Sequence, residues 1–102
     1  MNVIYFACKN YTEATKISRE LVENREAFCV NIIPQIHSIY PWKGKVEEAD
    51  EVLVLAKTKS KLITKVMERI KRLHSYELPE IISLRIERTT KEVEKWLKEE
   101  FR

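Results

Sequence analysis

Two cysteines, Cys8 and Cys29, and two histidines, His37 and His74, are the only thiol and imidazole donors in the chain. Thiolate sulfur with imidazole suits copper or zinc, whereas carboxylate and carbonyl oxygens suit harder ions. Neither histidine has a serine or cysteine beside it in a recognisable nucleophile turn. The carboxylate pairs Glu47–Glu48 and Glu99–Glu100 are adjacent in sequence, so they point to different sides and read as solvated surface charge. Gly44 is the single glycine, which excludes the glycine-rich loops that cradle nucleotide phosphates. No catalytic constellation emerges. The expectation is a protein that is not an enzyme and requires no cofactor.

The 102 residues make one domain, expected to run over residues 1–102. Two cysteines are too few and too irregular for a disulfide framework or a zinc ribbon. Lys and Arg number 19 against 16 Asp and Glu, a net charge of +3 with the signs interleaved. Such a surface is a solvated mixture rather than a face for nucleic acid or membrane. No apolar run approaches the ~18 residues of a membrane span, and the first residues lack the basic stretch and cleavage site of an export signal. A cytoplasmic location is the expectation.

The elements that must position these donors follow from periodicity. Val3, Ile4, Tyr5 and Phe6 open a strand over residues 2–8, buried on both sides. Asn10 with Glu13 predicts a helix N-cap and its partner, and Ala14, Ile17, Leu21 and Val22 carry the helix to about Asn24. Residues 28–33 and 36–40 are strand-like, with Pro34 forcing a bulge or an edge. Gly44 turns the chain into a strand over residues 51–57, giving a long hairpin. Ser60 is placed to cap a second helix bearing Ile63, Val66, Met67, Ile70 and Leu73. Residues 80–86 form a fourth strand, and Thr89 with Glu92 starts a last helix bearing Val93, Trp96, Leu97 and Phe101.

The order βαββαβ plus one helix is α+β, the ferredoxin-like split βαβ, with an antiparallel sheet and helices on one face. Its other face is left bare and apolar, which calls for self-association. In this order Cys8 ends the first strand and Cys29 begins the second, at opposite ends of the sheet, well over ~10 Å apart. His74 lies at the same end as Cys8. A metal set of Cys29, His74 and Cys8 therefore has to form across subunits. The plainer alternative makes both cysteines small buried hydrophobes and His74 a hydrogen-bonded turn residue.

Ser38, Tyr40, Trp42, Gly44, Lys45, Val46 and Glu47 resemble the hairpin signature of the CutA family, Ser-x-Tyr-x-Trp followed by Gly-Lys and a hydrophobic–Glu step. Cys29, Val30 and Asn31 are similar to its Cys-x-Asn segment, and Glu51 with Lys57–Thr58 falls where the family has Glu and Lys-Thr. His74 to Ile81 is similar to its His-Pro-Tyr-x-x-Pro-x-Ile, with Ser75 in place of the proline, and Trp96–Leu97 match its final Trp-Leu. The resemblance implies a PII-like homotrimer linked to divalent-cation tolerance, copper above all. It also implies clefts between subunits, where Tyr40, Trp42, Glu47, Glu51, Lys57 and Tyr76 gather. A competing reading is a PII-like sensor that holds a small anion with Lys57 and His74. Tyr40 and Trp42 also fit a plain interface core. An RNA-binding domain of the same fold would need strand aromatics in a glycine-containing motif that this chain lacks.

Overall fold

Alternation in the first strand decides which side of the sheet is covered. In the computed structural model, which describes residues 1–101, β1 (Asn2–Cys8) buries Asn2, Ile4, Phe6 and Cys8, while Val3, Tyr5 and Ala7 stay half-buried. Strand β1 is central, as expected, but only one of its faces is closed. The helix α1 (Tyr11–Glu23) begins where the Asn10 side chain accepts the Glu13 N–H at 2.8 Å. Its face of Ala14, Ile17 and Leu21 packs onto Ile4, Phe6 and Cys8. Val22, by contrast, points outward and is exposed.

Strands β2 (Cys29–Trp42) and β3 (Lys45–Thr58) form one long hairpin, longer on both arms than the periodicity suggests. Lys43 and Gly44 both have positive φ, 49° and 79°, the paired left-handed geometry whose twist matches a two-residue hairpin turn. The register slips between Ile33 and Ile36, which places the Pro34 bulge as expected. A single 3-10 turn, Ser60–Leu62, then leads into α2 (Ile63–Leu73). Ser60 does not cap that helix. Its hydroxyl donates to Asn2 Oδ1 at 2.7 Å and accepts from the N-terminal amine at 3.0 Å. Strand β4 (Ile82–Arg85) is shorter than expected, and α3 (Lys91–Glu100) starts one residue late, with Thr90 rather than Thr89 accepting the Val93 N–H.

The sheet order is β2-β3-β1-β4, all neighbours antiparallel. This is the expected split βαβ. Val52, Val54 and Ala56 of β3 join Ile4, Phe6, Cys8 and the helix residues Val66 and Ile70 in one core. The opposite sheet face presents Val3, Tyr5, Ile33, Leu55, Ile82 and Leu84, with Ile33, Ile82 and Leu84 exposed. No helix among the described residues is long and apolar enough to cross a membrane.

Candidate functional site

The end of β1, the first turn of α1 and the end of α2 meet at one point. Asn10 capping fixes where α1 starts and so sets Glu13 five residues after Cys8. His74 closes α2, its N–H bonded to the Ile70 carbonyl at 2.9 Å. One donor atom each of Cys8, Glu13 and His74 then lies within 4.8 Å of the others. Phe6 stands edge-on to the imidazole at 6.3 Å, and Tyr76 lies against it at 4.7 Å.

The hydrogen bonds define the state of this trio. His74 Nε2–H donates to the Ala7 carbonyl at 2.7 Å, and the Tyr76 N–H donates to Nδ1 at 3.1 Å. Both ring nitrogens are therefore engaged, and the tautomer carries its proton on Nε2. Glu13 Oε1 sits 3.5 Å from Nδ1 and accepts the Ser75 N–H at the same distance. Burial, with Glu13 and then Glu51 adding their charge, pushes the Cys8 thiol up to about 12. The Tyr76 hydroxyl donates to Glu51 Oε2 at 2.6 Å. Burial first, and then this bond, lift the phenol above its ordinary value.

The donor types fit a borderline-soft cation, but their states do not. A metal ligand must be a thiolate or a free imidazole lone pair. Here the thiol is protonated and the Nδ1 lone pair is occupied. As it stands, the trio is a satisfied polar knot in the core. The protonation claim has a direct check. The ultraviolet thiolate signal that disappears in Cys8→Ala is expected to develop only toward pH 12 or on unfolding. A midpoint near the ordinary thiol value of about 8.5 would mean that water reaches the sulfur.

Cys29 stands apart from this point. It lies opposite Lys57, which lies opposite Val3, while Cys8 lies opposite Val52. By strand alternation Cys29 belongs to the bare face and Cys8 to the covered one. The two cysteines thus differ in face as well as in end of the sheet, and only Cys8 and His74 come together within one chain. Sequence reasoning took Glu13 for a capping partner alone. Its side chain turns instead toward His74, a partner that only the packing of the two helix ends supplies.

The six expected cleft residues divide. Glu51 and Tyr76 are joined directly. Tyr40 faces Glu47 across the ladder, and Trp42 faces Lys45 at the tip, with the Lys43 ammonium 5.8 Å above its ring. Lys57 is elsewhere, about four residues along β1 from the carbonyl that holds His74, or ~13 Å. An anion held jointly by Lys57 and His74 has no single-chain site.

The family of the CutA1 divalent ion tolerance protein matches residues 2–100. The CutA homolog of Xenopus laevis is 46% identical over 97 residues, 95% of this chain and 64% of its own length. The chain spans between about half and two thirds of the vertebrate relatives it matches. The divalent-cation tolerance protein CutA of Thermus thermophilus is 46% identical over 86 residues, 84% of either chain. The solved CutA structure from Archaeoglobus fulgidus, described as a periplasmic divalent cation tolerance protein, superposes with a TM-score of 0.91. It is 39% identical and covers 96% of this chain and 95% of its own. With the split-βαβ sheet and the long hairpin in place, this chain belongs to the CutA1 divalent ion tolerance family.

Proposed function

We propose that the chain acts in divalent-cation tolerance as a non-catalytic homotrimer that binds copper-type ions in the cytoplasm. The observation that carries the reading is the uncovered apolar face of Val3, Tyr5, Ile33, Leu55, Ile82 and Leu84 beside a hairpin that runs past the end of β1. A face of this kind on a small domain needs a cover, and a second and third copy supply it with their own hairpins. The free thiol of the partly exposed Cys29 is in keeping with a reducing compartment. Against nucleophilic catalysis stands the state of the trio, whose thiol is protonated and whose imidazole nitrogens are both hydrogen-bonded.

On this reading copper reaches Cys8 and His74 only when the 74–76 turn gives up the Tyr76 N–H and the thiol loses its proton. Uptake is then coupled to proton release, and affinity falls as pH drops. Light scattering should report three protomer masses; a monodisperse monomer sinks the assembly. Calorimetry with Cu2+ should show weaker binding in His74→Ala than in the parent, with Cys29→Ala as the test of a site shared between copies. Equal affinities in all three proteins would move the ion to surface carboxylates.

A further inference from the structure

Past the pair Cys8–Val52 the sheet loses β1, and β2 and β3 continue alone from Ile36–Glu51 to Trp42–Lys45. Within one chain this ribbon has only its own ladder and cross-strand side-chain pairs to hold it. Near its base His37 faces Asp50 across the ladder, and Glu48 is the next residue on the same side of β3. The imidazole bridges both carboxylates: Nδ1 lies 2.9 Å from Asp50 Oδ1, and Nε2 lies 2.7 Å from Glu48 Oε1. Two such contacts require a proton on each nitrogen. A neutral imidazole has one N–H, so its remaining lone pair would face a carboxylate oxygen at hydrogen-bond distance, which is repulsive. Glu48 and Asp50 would then also stand as neighbouring like charges on one side of the strand.

We propose that His37 is a proton-operated clasp on this ribbon: the imidazolium ties Glu48 and Asp50 of β3 to β2, and loss of one proton opens one tie and loosens the arm. The clasp belongs to the ribbon within one chain and stands apart from the question of metal. The hydrogen bonds to Glu48 and then Asp50 raise the His37 proton affinity above its ordinary value. A base raised in the folded state contributes stability that is full below its unfolded pKa of about 6.5 and is lost as pH climbs through the higher folded one. Closed under mildly acidic conditions, the clasp opens with rising pH. The neighbouring ionisable groups come from the turn after β1, where Lys9 and Tyr11 line a hollow of about 290 Å³ with Asp50 and Glu51. Lys9 is the cation on that hollow's rim, and Glu51 is taken by the Tyr76 hydroxyl.

Magnetic resonance separates the outcomes. His37 ring protons, assigned by their loss in His37→Gln, are expected to titrate above about 6.5 and to return there in Glu48→Gln/Asp50→Asn. Protection factors of the ribbon amides from Ser38 to Glu48, corrected for base catalysis of exchange, are expected to fall about two- to five-fold between about pH 5.5 and about pH 8.5. The double variant should show no such fall. Protection that ignores pH in the parent, or an equal fall in the double variant, overturns the clasp.

Discussion

Truncating Phe6 to alanine is expected to cost about 3–5 kcal/mol of folding stability. Phe6 has no exposed surface, sits in the middle of the central strand, and packs against both helices and the edge of His74. Nothing nearby can close the space, because its neighbours are strand residues held in register by β3 and β4. Phe6→Leu retains most of the volume and should lose about 1.5 kcal/mol or less. Denaturant titrations at one fixed protein concentration, which removes mass-action effects, give both values. A loss below about 1 kcal/mol for Phe6→Ala would place the centre of the core elsewhere.

Arg69→Ala is expected to be nearly as damaging, through charge rather than volume. Arg69 on α2 reaches Glu26, just past the end of α1, with its Nε bonded to one carboxylate oxygen and its Nη2 3.2 Å from the other. Glu20 is a weaker third member at 3.4 Å. The Glu26 side chain is only 3% exposed, so without its partner a buried carboxylate is left uncompensated, at a cost of about 3–5 kcal/mol. The discriminating variant is Glu26→Met/Arg69→Met, which removes both charges and keeps apolar bulk. It should recover most of the loss. If the double variant is no better than Arg69→Ala, the damage comes from lost packing of the arginine stem.

Much of this architecture was legible from residue spacing. The 3.6-residue rhythm of Ala14, Ile17 and Leu21 and the helix start at Asn10 are local matters, settled within one or two turns of chain. The same holds for Gly44, whose positive φ is a property of the turn itself, and for Pro34, which cannot serve a regular ladder. The misread positions are those where a distant partner decided. Ser60 looked like a cap, but the folded chain brings Asn2 and the N-terminus to its hydroxyl. Thr89 and Thr90 both offer the right oxygen, and only the path of the chain out of β4 selects the second. Val22 sits on the rim of the α1 stripe, where a few degrees of helix rotation separate burial from exposure.

The candidate site followed the same rule. The opposite ends of Cys8 and Cys29 were readable from strand order, since topology fixes direction. Their opposite faces needed the register, which no single strand reveals. Glu13 was invisible as a partner of His74 because 61 residues separate them, and helix packing alone brings them to 3.5 Å. The occupied lone pair of His74 depends on the peptide of Tyr76 folding back, a backbone detail beyond the reach of side-chain patterns.

The slip at Pro34 and Gln35 carries one last consequence. Two independent rulers measure the hairpin. One counts from the core outward, where Val30 and Ile32 must stand level with Ala56 and Val54; the other counts from the tip inward, where the Lys43–Gly44 turn sets Trp42 against Lys45. The two disagree by a single residue, because β2 spends three steps from Ile33 to Ile36 while β3 spends two from Leu53 to Glu51. The surplus residue is absorbed beside Pro34, which has no N–H to offer the ladder. A chain without Gln35 would bring the rulers into agreement. His37 would still meet Asp50, and the arm would leave the sheet straight, without the extra bend and twist that the surplus residue imposes.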